Sequence, residues 1–183
     1  LGLCPRAQIF GMARDGTFAE KLAAPASCAL ALPEQIPFEH GAILADAVAT
    51  AFHAVSTRAG IQGGEKVAII GCGGVGYHAI LLARLLGAKT IVAVDSSKGA
   101  LRRAEEAGAD VLVDATGENV RKDIRRAAGG EGPEIVIEYV GKKSTVGLAM
   151  ASVARGGRVI VGGVGMESPE LGPLVSFVGK EIG

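Results

Sequence analysis

KVAIIGCGGVGYHAILLARLLGAKTIVAVD, residues 66–95, is the stretch on which the fold turns. Val67-Ala68-Ile69-Ile70 is short, apolar and continuous, as a strand buried on both faces should be. Gly71-Cys72-Gly73-Gly74-Val75-Gly76 follows and places glycines in a G-x-G-x-x-G pattern at Gly71, Gly73 and Gly76. Val75, Ala79, Leu82 and Leu86 then recur at helical spacing, and Gly87 closes the helix. A second apolar run over 90–94 ends on Asp95, 24 positions after Gly71. The arrangement suits a dinucleotide. Gly71 permits the tight strand-to-helix turn, Gly73 lets backbone approach a pyrophosphate, and Gly76 lets the helix pack on the strand. Free N–H groups at the helix N-terminus hold the phosphates, and Asp95 accepts the ribose hydroxyl hydrogens. An S-adenosylmethionine-binding loop also sets glycines after a first strand and carries a ribose, so these residues alone admit both ligands.

Outward from this stretch, strands and helices alternate. Strands are expected at 66–71, 90–95, 110–114, 134–140 and 157–162, and helices at 74–86, 97–107, 117–128 and 143–155. Gly87, Gly108, Gly129 and Gly156 follow the four helices where a left-handed cap is wanted. Such alternation predicts an α/β fold: a doubly wound parallel sheet with right-handed crossovers and helices on both faces. A ligand then lies across the carboxyl ends of the strands at the switch point. That gives the loops at Tyr139-Val140-Gly141 and Val161-Gly162-Gly163-Val164 a possible part beside their plain reading as strand ends.

Bulk properties bound the alternatives. Nineteen lysines and arginines balance nineteen acids in 183 residues, which argues against nucleic acid or an anionic membrane as the main partner. No apolar run reaches transmembrane length and no signal peptide is visible. Cys4, Cys28 and Cys72 are odd in number and widely spaced, which suits a reducing cytoplasm.

Residues 1–40 read differently, as the end of a small β-rich domain: extended stretches at 16–22 and 27–32 are punctuated by Pro25, Pro33 and Pro37. A long helix is expected over 41–59, capped by Gly60, with Ile43, Ala47, Ala51 and Val55 as its apolar side. Asp46, Thr50, His53 and Thr57 share its polar face. They form either the solvated stripe of an amphipathic helix or a cleft-facing set with Asp46 as metal ligand and Thr50 as hydrogen-bonding hydroxyl. Tyr139 and Lys143 make a Y-x-x-x-K, but Tyr139 ends a strand-like run, so the two need not share a face. Cys72 sits where a helix N-terminus can acidify a thiol; the simpler requirement is for a small residue. His40 and His78 are packing or surface residues, and no C-x-x-C occurs.

The chain resembles the medium-chain, zinc-dependent alcohol dehydrogenases through DGTFAEKLAAPA (15–26), ADAVATAFHAV (45–55), VAIIGCGGVG (67–76), IVAVD (91–95) and RGGRVIVGG (155–163). This resemblance removes the methyltransferase-type ligand. It implies that residues 1–40 are the tail of a GroES-like catalytic domain and that 41–183 are a Rossmann NAD-binding domain, cut off at its C-terminal end. Asp46 falls where the family places its third catalytic zinc ligand, usually cysteine, and Thr50 where it places a threonine beside the nicotinamide. Cys4 resembles the last of four cysteines in a structural-zinc lobe. Val75, Tyr139, Val140, Val161 and Gly162 lie on loops that contact the dinucleotide in the family, completing a cofactor set with Gly71, Cys72, Gly73, Gly74, Gly76 and Asp95. The Asp95 carboxylate points to NAD over NADP, since it would repel a 2′-phosphate. Ala100 stands where many relatives carry a lysine, a part that Lys98 is placed to take.

The resemblance further implies a small alcohol or ketone substrate and a homodimer or homotetramer built through the Rossmann domain. The family's remaining zinc ligands and proton relay would fall before Leu1. The chain alone is therefore expected to bind NAD without oxidising alcohol. Two competitors stand beside this reading: a zinc-free quinone or enoyl reductase using NADPH, and a non-catalytic NAD(H)-binding module.

Overall fold

The structure is a computed structural model and describes residues 5–169 and 178–183. Cys4 lies outside the described residues. The chain divides into two compact units, Leu1–Pro37 and Phe38–Gly183.

In the first unit the described residues form an isolated bridge between Phe10 and Arg14 and a 3₁₀ turn, Ala26–Cys28. The extended stretches expected at 16–22 and 27–32 do not pair into strands. An extended segment is stabilised by a neighbour that takes up its N–H and C=O groups, and most of these side chains lie exposed with no core of their own.

The second unit opens with a long helix, α1, over 38–58. Its Leu44–Val48 and His53–Arg58 segments widen to π-type bonding, separated by regular turns at Ala49–Phe52. Ala51, Ala54 and Val55 are buried, whereas Ile43, expected on the apolar side, is exposed. The widened turns account for the difference: a stripe laid out at 3.6 residues per turn drifts when a turn takes an extra residue. Gly60 follows with a positive φ, as a left-handed cap requires.

Five strands then alternate with four helices: β1 (Lys66–Ile70), α2 (Gly74–Leu85), β2 (Thr90–Asp95), α3 (Lys98–Glu106), β3 (Val111–Asp114), α4 (Val120–Ala127), β4 (Ile135–Glu138), α5 (Lys143–Ser152) and β5 (Arg158–Val161). They make one parallel sheet in the order β3-β2-β1-β4-β5. Strand alternation divides the core. Val67, Ile69, Ile91, Ala93, Ile135 and Ile137 face one layer with α1, α2 and α3. Ala68, Ile70, Val92, Val94 and Val136 face the other, where Ile124 of α4 and Ala149 of α5 meet them. Both faces are covered, which is why the strands read as continuous apolar runs. The result is the doubly wound α/β fold, with its switch point between β1 and β4.

Long-range polar contacts hold the frame. Arg158 Nε donates to the carbonyl of Ala59, and its Nη2 donates to both carboxylate oxygens of Glu65 at 2.9 and 3.0 Å, tying β5 to the end of α1. Arg84 Nη2 donates to Asp110 at 2.6 Å and to the Gly108 carbonyl at 2.7 Å, while Asp110 also accepts from the Ile91 N–H. No described helix is long and apolar enough to cross a membrane.

Candidate functional site

The glycine loop turns from β1 into α2 at the switch point. Gly71 adopts φ +90, a region that glycine enters at little cost, and a Cβ there would press on Val140 Cγ2 at 2.8 Å. A Cβ on Gly76 would lie 1.9 Å from the Gly71 carbonyl oxygen, so the helix sits against the turn with no room for a side chain. Gly73 and Gly74 differ, because a Cβ on either would meet nothing within 4 Å. The N-cap of α2 is Gly73, with no side-chain cap and no acid in the first turn. The N–H groups of Gly74, Val75 and Gly76 therefore point beyond the helix without an intrahelical acceptor. An uncapped helix N-terminus beside open space fits a phosphate-bearing group. A groove of about 340 Å³ alongside is lined by Gly73, Gly74, Tyr77, His78, Arg103 and Glu106.

Asp95 ends β2 next to this loop. Its Oδ2 accepts from the Cys72 N–H at 2.7 Å and its Oδ1 from the Ser97 N–H at 2.8 Å. The carboxylate thus clamps the glycine loop as well as standing at the strand end, a second duty that the motif does not announce. Cys72 is buried, and burial, aided by the Asp95 charge, pushes its thiol up to about 12. The helix N-terminus does not acidify it.

Across the switch point the rim is built differently. Tyr139 follows β4, donating its N–H to the Ile70 carbonyl, and Lys143 opens α5, so the two belong to different elements. Burial raises the Tyr139 phenol well above its usual value. The Tyr139 ring lies so close to Gly162 that a Cβ there would meet Cε1 at 2.9 Å. Gly163 would clash with the Gly141 nitrogen at 2.2 Å and Gly165 with the Gly141 carbonyl oxygen at 1.9 Å, so the loops after β4 and β5 cross backbone to backbone. Beneath them is Glu138, a fully buried residue that sequence reasoning missed. Its Oε1 accepts from the N–H groups of Val140 at 2.7 Å and Gly141 at 2.9 Å, and from Thr145 Oγ1 at 2.8 Å. Its backbone carbonyl accepts from Gly162 and Gly163. An acid closing an apolar strand was the available signal. Val161 is half exposed at the end of β5.

On α1, Thr50 Oγ1 donates to Asp46 Oδ1 at 2.9 Å, so these two are brought together. His53 and Thr57 are exposed further along the helix. Among the described residues no group of three or more His, Cys, Asp or Glu side chains could hold a metal ion. Asp46 supplies one carboxylate where a zinc centre needs three or four protein ligands, so the described residues do not make a zinc site.

The sequence profile of the zinc-binding dehydrogenases matches residues 74–182. The chain belongs to this family. It is 32% identical over 159 residues to L-threonine 3-dehydrogenase of Bacillus licheniformis, covering 87% of this chain and 45% of that enzyme. It is 31% identical over 153 residues to sorbitol dehydrogenase of Bos taurus, covering 82% of this chain and 42% of that one. The chain thus spans a little under half the length of these curated relatives. Among solved structures, the alcohol dehydrogenase of the hyperthermophilic archaeon Aeropyrum pernix superposes with a TM-score of 0.89 at 32% identity, over 99% of this chain and 53% of that one. A zinc-binding dehydrogenase of Sinorhizobium meliloti solved with NADP gives 0.88 at 32% identity, over 99% and 53%. The family match and these neighbours make the medium-chain dehydrogenase resemblance a finding.

Proposed function

We propose that this chain carries the dinucleotide-binding part of an NAD-dependent, zinc-containing alcohol dehydrogenase, and that alone it binds NAD without oxidising alcohol. The observation that carries the reading is the uncapped N-terminus of α2, open at Gly73 and Gly74, with Asp95 held against the same loop. The N–H groups of Gly74, Val75 and Gly76 would hold the pyrophosphate. Asp95 would accept the ribose hydroxyl hydrogens with its remaining lone pairs while keeping the loop closed. Tyr139, Val140, Val161 and Gly162 would border the nicotinamide half. Thr50, oriented by Asp46, would stand beside the ring. The cofactor supplies the hydride-accepting carbon, and the chain binds and orients it. Asp46 is the one ligand this chain would offer to a catalytic zinc, and Cys4 the one cysteine for a structural site. The substrate class is an alcohol or ketone, the assembly a homodimer or homotetramer through the Rossmann unit, and the compartment the cytoplasm.

NADP is the second reading. Lys98 opens α3 and lies near enough to Asp114 to help lower its carboxyl, after the larger effect of Thr116, so a cation is present beside the ends of β2 and β3. The Sinorhizobium relative carries NADP. Calorimetric titration of the chain with NAD⁺ and NADP⁺ separates the two. Tighter binding of NAD⁺ supports the Asp95 argument, tighter NADP⁺ overturns it, and binding of neither overturns the dinucleotide reading for this chain.

A further inference from the structure

Glu138 is fully buried, and every hydrogen bond to its carboxylate comes from a donor: the N–H groups of Val140 and Gly141 and the Thr145 hydroxyl. The Gly141 N–H reaches both oxygens, at 2.9 and 3.1 Å. A buried acceptor surrounded by donors resists replacement, because removing it strands buried N–H groups. The residue joins several parts of one rim. Its carboxylate fixes the 139–141 turn and, through Thr145, the first turn of α5; its carbonyl holds Gly162 and Gly163. Gly141, placed by that carboxylate, is in turn the backbone against which 163–165 rests.

A dinucleotide spans the switch point of a doubly wound sheet with one half on each side. Asp95 lies on the β2 side, where the adenosine half belongs, and everything Glu138 touches lies on the β4–β5 side. We propose that Glu138 is a positioning residue for the nicotinamide half of the cofactor, setting both loops that receive it without touching it. This inference rests on the dinucleotide reading of the site. It assigns the two carboxylates to separate halves of one ligand, and so predicts that they can be separated by probes that occupy one half or both.

The probes are AMP, which fills the adenosine half alone, and NAD⁺, titrated against the 183-residue chain and its Glu138→Gln variant. With its carbonyl oxygen at the Oε1 position glutamine keeps three of the four bonds, and its amide nitrogen then faces the Gly141 N–H, donor against donor, where Oε2 accepted at 3.1 Å, which pushes on the turn. NAD⁺ affinity should fall about tenfold or more while AMP affinity stays within about twofold. Unchanged NAD⁺ binding overturns the proposal. Equal losses for AMP and NAD⁺ also overturn it, since Glu138 would then hold the fold and not one half of the site. If the unsubstituted chain binds neither probe, the dinucleotide reading itself fails. Circular dichroism checks folding. Should the glutamine variant not fold, Thr145→Val decides: it removes one donor to Glu138, together with the acceptor of the Lys142 N–H, and keeps the carboxylate. It should weaken NAD⁺ about threefold or more with AMP unchanged, and unaltered NAD⁺ binding in that variant overturns the proposal.

Discussion

The two sides of the switch point are made from the same kinds of residue by opposite means. On the β1 side a glycine loop leaves space: Gly73 and Gly74 face nothing, and helix N–H groups go without acceptors. On the β4–β5 side glycines remove space, letting Gly141, Gly163 and Gly165 press together over a buried carboxylate that accepts from Val140, Gly141 and Thr145. One rim is left open, the other is closed by what holds it together. Glycine alone does not mark a binding surface; the test is what a Cβ would meet.

The comparison can be broken most severely at Gly76. Gly76→Ala places a methyl 1.9 Å from the Gly71 carbonyl oxygen, and both backbone segments are anchored. Chemical denaturation should show a loss of about 3 kcal/mol or more, together with loss of dinucleotide binding. Next comes Arg158→Ala, which strips the Ala59 carbonyl of its donor and leaves Glu65 with the Gln62 N–H alone to offset its charge, in a half-buried setting. The expected loss is about 1–2 kcal/mol by the same measurement, with the affinity for NAD⁺ retained.

Gly73→Ala sharpens the contrast. Its φ is negative and its Cβ meets nothing, so the cost should be limited to the N-cap preference for glycine over alanine, about 1 kcal/mol. On the proposed reading NAD⁺ affinity should nevertheless drop about tenfold, because the methyl would enter the space proposed for the pyrophosphate. A variant that is both stable and fully competent would show that this open space is not the ligand's.

The smallest effect concerns Cys72. A thiol raised from an ordinary 9.0 to about 12 binds its proton more tightly in the folded chain than in the unfolded one. Its contribution is therefore complete below pH 9.0 and declines as pH rises from there towards about 12. At pH 8 a disulfide reagent should label exposed Cys28 while Cys72 stays protected until denaturant is added. Rapid modification of both would contradict the burial.

Local signals were legible and remote ones were not. The five strands fall within a residue or two of expectation, because each is an uninterrupted apolar run between polar punctuation. Gly87, Gly108, Gly129 and Gly156 all take positive φ as expected. The link between Asp95 and the Cys72 N–H joins two ends of the recognised motif, yet only the structure reveals that one carboxylate oxygen is spent on it. Glu138 offered one local signal, an acid closing an apolar strand, but two of its three donor groups are backbone N–H groups, which any sequence supplies. The Arg158–Ala59 contact spans 99 positions and leaves no periodic trace. In the first unit the stretches at 16–22 and 27–32 carry extended patterning but do not pair into strands among the described residues, because such patterning says nothing about whether a neighbour is present to pair with.

The widened turns of α1 carry a consequence for how this helix tolerates length change. A π-type turn is what a regular helix becomes when one residue is added without disturbing its flanks. Deleting one residue within Leu44–Val48 would let the backbone revert to regular turns and leave Ala51 and Val55 seated in the core. The part of the helix before the cut would then swing by about 100° around the helix axis. Phe38–Ile43 would present a different side, and Asp46, if retained, would leave its place one turn before Thr50. The extra residue thus acts as an angular shim, fixing the direction in which the first turns of α1 face while the rest of the helix stays bolted to the sheet.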